Sequence, residues 1–392
     1  MTSKHKNPIL LIFLLWLAGL AAAGQFAKFS VIFEHLQQIY PEAGSTLGIL
    51  VSFISVLGIF LGLIAGMVVA RLGMRNLLVF ALVLGAFISM FHATLPSLSL
   101  MLISRLFEGL SHLLIVVAAP TLIAQIAPTR LRPVAMTLWG TFFGVSFAIV
   151  AFAGIPLVNA YGAAAFFAAH GAFMALMAGV LWAMLPSARA QPENTERISL
   201  SLIFKRHLET YNSPSKAAPA LGWLFYTITF VAFLTLLPGF VDAADRHLVA
   251  TMMPLAGIIV SMSIGVLLLR YISAVSVIVV GFSASLAVVL LLWAMPDQPM
   301  IYIALMGALG LVQGASFAAV PQLNDTDQDR AYANGAMAQM GNLGNSLGTP
   351  VLLLLVSLSG FNGVIGFSVV CYILAISLHL WLAKRRSGQN PA

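Results

Sequence analysis

The chain has 392 residues, 60% of them hydrophobic and only 8% charged, with a formal net charge of +7. Its mean hydropathy of +1.00 excludes an ordinary soluble domain, which needs far more charge to cover its surface. The single cysteine, Cys371, excludes an intrachain disulfide and any metal site built on several thiolates.

A helix needs ~20 apolar residues to cross a bilayer. Twelve stretches of about that length are predicted, at 9–31, 46–70, 77–94, 98–126, 134–158, 161–185, 218–240, 248–270, 272–295, 299–320, 334–357 and 361–383. The first continues past residue 30 without a small-residue cleavage pattern close to a short apolar core, so it reads as a retained helix rather than a signal peptide. It carries Gln25 and Lys28, three apart and on one face. Lys28 sits near the outer boundary, where it either snorkels outward or turns into the protein interior.

Between the second and third spans runs Gly66-Met-Val-Val-Ala70-Arg71-Leu-Gly73-Met-Arg75. The fourth span contains Ser104-Arg105-Leu-Phe-Glu108-Gly109-Leu-Ser-His112. Counted inward from Leu98, Arg105 lies ~10 Å deep, Glu108 ~15 Å and His112 ~21 Å, all within a helical arc of ~60°. Of the twelve acidic residues, Glu108 is the one deep in a span. A charge at a helix centre costs about 2.5–3.5 kcal/mol on insertion scales, which makes these residues functional candidates. The competing reading is structural: Arg105 and Glu108, one turn apart, partly offset each other, and a hydrogen-bonded His112 would serve packing equally well.

The fifth span opens on Arg132-Pro-Val-Ala135-Met136. A polar segment, 186–217, separates six spans from six. Within it Leu200, Ile203, Phe204, Leu208 and Tyr211 share one helical face beside Lys205 and Arg206, which suits a helix lying on the inner membrane surface; a disordered linker is the alternative. The seventh span carries Trp223, Tyr226 and Phe230, and the tenth Tyr302, Gln313 and Ser316. Asn324-Asp-Thr-Asp-Gln-Asp329-Arg330 is an acidic cluster before the eleventh span. That span then presents small residues, Gly341, Gly344 and Gly348, that let helices approach closely, with Asn342 and Asn345 as polar candidates.

With the N-terminus placed inside, all 19 Lys and Arg except Lys28, Arg105 and Arg246 fall on cytoplasmic segments. This is the positive-inside pattern; it sets both termini inside and gives the net charge a topological origin rather than a nucleic-acid partner. The two halves also echo each other. Ala135-Met136-x-x-x-Gly140 recurs as Ala336-Met337-x-x-x-Gly341, and Gly66-x-x-x-x-Arg71 as Gly265-x-x-x-x-Arg270.

Twelve spans, two halves, a long central segment and the Gly66–Arg75 loop make the chain resemble the major facilitator superfamily. Its loop motif runs roughly G-x-x-x-D-R-x-G-R-R/K; here the glycines and Arg71 match, Arg75 is one place away, and Ala70 replaces the acid. Arg105-x-x-Glu108-Gly109 is similar to the family's R-x-x-Q-G, and Arg132-Pro-Val-Ala135 to its R-G-x-A. The resemblance implies an all-α integral membrane fold of two pseudo-symmetric six-helix halves, 1–185 and 218–392, joined by a linker at 186–217, and transport by alternating access. It also implies that spans one, four, seven and ten line a central path, which places Arg105, Glu108, His112, Lys28, Gln25, Tyr226 and Gln313 there; Asn342 in the eleventh span is a further candidate. Gly66, Arg71, Gly73, Arg75, Arg132, Arg270, Asp329 and Arg330 are then expected in a cytoplasmic gate, with the acidic cluster pairing with Arg270 and Arg330. Favourable cation–dipole contacts at helix C-termini are the competing account of the arginines. His170, in the sixth span, falls on a peripheral helix of such a fold.

The expected function is a secondary active transporter of a small organic solute, best read as an organic anion because Lys28 and Arg105 outnumber Glu108, and coupled to protons. Proton-driven efflux of hydrophobic compounds is the alternative, weakened because helix 1 offers Lys28 where family drug antiporters usually carry an acid. No enzyme activity, metal or cofactor is expected. The expected setting is a bacterial inner membrane, the expected state a monomer, and the partners are the solute, protons and lipid.

Overall fold

The computed structural model describes residues 7–43, 49–51, 53–186 and 199–389, with the side chains at 34, 66–72, 151, 200, 247 and 389 outside the description. Every regular element among the described residues is helical. In chain order these are α1 (Pro8–Ser30), α2 (Phe33–Ile39), α3 (Ser55–Leu72), α4 (Met74–His92), α5 (Leu98–Ile126), α6 (Arg132–Gly140), α7 (Phe142–Ile149) and α8 (Ile155–Met184). There follow α9 (Leu200–Asn212), α10 (Ala217–Leu236), α11 (Arg246–Val260), α12 (Val266–Leu268), α13 (Ala274–Ala294), α14 (Pro299–Leu323) and α15 (Asp327–Gln389).

Nine helices among the described residues are long and apolar enough to cross a membrane. Two of them each run through two predicted spans. Phe142–Met184 is broken at Gly162 (φ 81°), and α15 at Gly360 (φ 57°). At such positive φ a residue with a Cβ is strained, so glycine is the residue that lets one span reverse into the next within a single turn. The shorter apolar helix Ile49–Ala65 corresponds to the second predicted span, and the fold is therefore twelve membrane spans.

The distribution of polarity is that of a membrane protein. Phe152 is 87% exposed and Phe87 73%, while Lys28, Arg105 and Glu108 are 0% exposed. Apolar side chains face outward toward lipid, and ionised groups are withdrawn into the bundle, where they can find partners.

The chain divides into two compact units. The first takes the described parts of Met1–Ala135 with Phe142–Ile198; the second takes Met136–Thr141 with Ser199–Ala392. In the first, α5 packs on α1, α3 and α4, and α4 packs on α8. Gly109 makes the α5–α3 approach possible: a methyl there would collide with the Ile54 carbonyl. Its space is thus filled by a neighbouring helix. In the second unit, α10 packs on α15 and α14 on α13 and α11. Gly344 and Gly348 allow α15 to lie directly on Thr227 and Ile228 of α10. A helix is present in the segment between the sixth and seventh spans, α9, with Ser199 capping it through Leu202 N (3.1 Å). Phe204 and Leu208 are exposed on it, and Tyr211 donates to Gln339 Oε1 (2.7 Å).

Candidate functional site: a buried charge network in the first unit

Four helices converge on one polar cluster, buried except for a half-buried His170. α1 supplies Lys28, α4 supplies Ser89 and His92, α5 supplies Arg105 and Glu108, and α8 supplies His170. Glu108 is the centre. Its Oε1 lies 2.5 Å from Lys28 Nζ, and its Oε2 accepts from Arg105 Nη1. Removing these charges from water costs several kcal/mol per ion, and only close pairing with additional hydrogen bonds offsets it.

Arg105 has those additional bonds. Its Nε donates to Leu50 O (2.9 Å), Nη1 to Gln25 O (2.8 Å) and Nη2 to Val51 O (3.4 Å). Its guanidinium also sits 4.2 Å from the centroid of Phe29, a cation–π contact. Arg105 therefore ties α5 to α1 and to residues 49–51 while holding the carboxylate. Lys28 is less committed. Beyond Glu108 it donates to Ser89 Oγ at 2.6 Å, on a flexible stem that can be redirected.

The direction of the hydrogen bonds running outward from Lys28 can be read from chemistry. His170 Nε2 faces Ala21 O at 2.9 Å. A carbonyl only accepts, so Nε2 carries the proton and Nδ1 of the neutral ring accepts. Ser89 Oγ, 2.8 Å from that Nδ1, must then donate to it while accepting from Lys28. On the other side of Glu108, Ser104 Oγ donates to Met101 O (2.7 Å), so His92 Nε2 donates to Ser104 across 2.7 Å. That leaves His92 Nδ1 bare, 3.8 Å from Glu108 Oε2 and without a hydrogen-bond partner. A lone pair facing a carboxylate across a gap slightly longer than a hydrogen bond is a place where one added proton would close the contact.

The predicted residues divide accordingly. Lys28, Arg105 and Glu108 come together. Gln25 lies beside them; its Nε2 donates to Ser111 Oγ (2.9 Å), while its Oε1 is buried with no partner. His112 is buried on the same helix but turns away. Its Nδ1 pairs with Ala22 O (3.0 Å) and its ring packs edge-on to Phe26 at 4.9 Å. Ser89, His92 and His170 were not among the predicted site residues, and His170 belongs inside the network rather than to a merely peripheral helix.

In the second unit, Tyr226 stacks between Trp223 and Phe230, with centroids at 4.6 and 4.9 Å, and its hydroxyl is buried without a partner. Gln313 Nε2 donates to Gly140 O (2.6 Å), and Asn342 Nδ2 donates back to Ala338 O (2.7 Å) of its own helix.

Of the expected gate residues, Gly73 (φ 86°) separates α3 from α4, and Arg75 donates to Trp182 O at 2.5 Å. Arg132 opens α6. The side chain of Arg71, like position 66, lies outside the description. Arg330 pairs with Asp327 (3.0 Å) and donates to Asn324 O (2.9 Å), whereas Asp329 pairs with Lys216 at 2.6 Å. Among the described residues Arg270 takes part in no such pair; the acidic cluster is served by Lys216 instead.

A bundle of twelve apolar spans with ion chemistry sealed inside one unit is the build of a solute carrier. The chain belongs to the Major Facilitator Superfamily, whose family model matches residues 14–327, and it is a multi-pass membrane transporter. Among solved structures it is similar to the human organic anion transporter MFSD10 (TETRAN), with 16% identity, a TM-score of 0.79, and coverage of 96% of this chain and 100% of that one. It is also similar to FucP in the outward conformation (15%, 0.77, 96% and 99%) and to the proton:xylose symporter XylE (14%, 0.76, 96% and 95%). At these identities the likeness shows the fold. No sequence among curated proteins matches the chain.

Proposed function

We propose that this transporter moves a small organic anion by alternating access, in symport with protons, and that Lys28, Arg105 and Glu108 are its binding and coupling groups. One observation carries the reading: two fully buried cations share one carboxylate. A network with one positive charge in excess, walled off from water, is completed by an anion. A carboxylate substrate can take Lys28, and the constraint on Glu108 then changes. Protonating Glu108 removes the competing negative charge, so proton and substrate anion favour each other's binding. Such mutual favouring is the linkage a symporter needs. His92 Nδ1, facing Glu108 across its 3.8 Å gap, is the partner that would share the proton. Similarity to an organic anion transporter and to proton symporters agrees with this reading. The same excess of positive charge disfavours hydrophobic cations as cargo.

Arg71, Arg75 and Arg132 in one half, and Arg270, Asp329 and Arg330 in the other, are read as parts of a cytoplasmic gate, with Gly66 and Gly73 framing its loop. Both termini are placed in the cytoplasm of a bacterium with the protein, a monomer, in the inner membrane; the Lys and Arg distribution supports that orientation.

The coupling assignment is tested in proteoliposomes with a panel of small carboxylates. Glu108→Gln is expected to abolish accumulation driven by a pH gradient while substrate exchange at equal pH persists. Gradient-driven accumulation at the wild-type rate would remove Glu108 from coupling.

A further inference from the structure

We propose that the second unit carries a binding site for an anionic glycerophospholipid of the inner leaflet, set apart from the transport residues. Between α13, the end of α14 and the last turns of α15 lies a cavity of about 490 Å³. Its rim is polar and cationic, formed by Arg386 and Ser276, and no acidic side chain lines it. Arg270 precedes α13 in the chain, and Lys384 and Arg385 lie beside Arg386 near the end of α15. Basic pockets between spans on the cytoplasmic side are suited to lipid headgroups, and the cytoplasmic placement of this pocket rests on the proposed positive-inside orientation.

Deeper in, His379 contributes to the lining. It is 1% exposed, and neither of its ring nitrogens has a hydrogen-bond partner. Buried polar groups are normally satisfied; Nε2 is packed against Gly222 of α10, so the bonding capacity left over is at Nδ1. It lies seven residues from Arg386 on α15, about 10 Å along the axis, a depth below the headgroup phosphate. The lateral wall is apolar and faces outward, with Val280 43% and Leu380 57% exposed.

Cationic rim, polar floor and lipid-facing apolar wall match the successive parts of one molecule. Arg386 and the Ser276 hydroxyl suit phosphate oxygens and Val280 and Leu380 an acyl chain; His379 Nε2 lies against Gly222 of α10, which leaves Nδ1 as the ring atom for an ester carbonyl of the glycerol backbone. Free phosphate uses only the rim. Arg386 already donates one bond, from Nη1 to Pro214 O (2.7 Å), which holds its guanidinium at the rim.

The test uses the purified full-length protein in neutral detergent, with added phosphatidylglycerol, phosphatidylcholine or inorganic phosphate, and reads the melting temperature. Phosphatidylglycerol is expected to raise it by several degrees more than phosphatidylcholine, and inorganic phosphate to leave it unchanged. Arg386→Gln should reduce the phosphatidylglycerol shift to the phosphatidylcholine level. Arg385→Gln removes the same charge from the same helix end, but Arg385 stacks on Trp381 at 5.0 Å and does not line the cavity, so it should keep the full shift. Ala383→Trp, which fills the cavity without changing charge, should lose the shift as Arg386→Gln does, and it serves if the arginine variant fails to fold. Equal stabilisation by both lipids, an equal effect of inorganic phosphate, or equal losses in the Arg385 and Arg386 variants would overturn the proposal.

Discussion

The two units repeat one helical plan but differ in what they bury. The interior of the first holds Lys28, Arg105 and Glu108 together with His92, Ser89 and Ser104, with the half-buried His170 joined to them through Ser89. The interior of the second, among the described residues, holds no ionised side chain. Its polar groups are hydroxyls, amides and His379, many of them bonded to their own helix, as Thr229, Ser316 and Asn342 are. In place of charge it has an aromatic run, Trp223, Tyr226 and Phe230, with Phe317 edge-on to Trp223 at 4.9 Å. A duplicated scaffold has thus kept its packing rules in both halves and concentrated its ion chemistry in one. Charge in the membrane interior is costly enough that a pairing network built once need not be built twice.

Substitutions can break or sharpen that contrast. The largest effect is expected from Arg105→Ala, which leaves Glu108 with Lys28 alone and opens a space against Phe29. Breaking a buried pair of this kind costs about 3–5 kcal/mol, so both a large loss of thermal stability and loss of uptake are expected; a variant of unchanged stability would mean that Arg105 does not hold the network. Next, His170→Phe removes the acceptor for Ser89 and leaves a buried hydroxyl unsatisfied, at a cost of about 1–3 kcal/mol. Lys28 should then be less well held, and proton-driven uptake should fall by about tenfold, the equivalent of ~1.4 kcal/mol in a barrier. Uptake equal to wild type would place His170 outside the working network. The smallest effect belongs to the second unit. Tyr226→Phe deletes a hydroxyl that has no partner, so stability should change by less than about 1 kcal/mol and uptake should stay close to wild type. A collapse of uptake would show that the aromatic side carries chemistry after all.

Much of this architecture is legible in the sequence, for identifiable reasons. Hydropathy alone locates the spans, because lipid tolerates few polar residues in a lipid-facing helix. It does not reveal that Gly162 and Gly360 let two pairs of spans reverse into each other within a single turn, since glycine is common throughout the chain. Glu108, Arg105 and Lys28 stand out because each is charged within or at the edge of an apolar run. Ser89, His92 and His170 do not, because a serine or neutral histidine in a span raises little alarm, and their importance comes from which helices meet. α8 delivers His170 to α1 and α4 through a tertiary contact that no local spacing encodes. The same limit applies to the acidic cluster, where Lys216, remote in sequence, takes Asp329.

The central claim is that a substrate anion competes with the Glu108 carboxylate for its cations, so that a proton on Glu108 favours anion binding, and it is tested most directly by ligand binding to the Glu108→Gln protein across pH. With small carboxylates titrated into purified wild type, affinity should strengthen as pH falls. In Glu108→Gln, affinity should be at least as tight as the wild type's at acidic pH and should no longer depend on pH. Weaker binding by the variant, or a pH dependence that survives the substitution, would contradict the account.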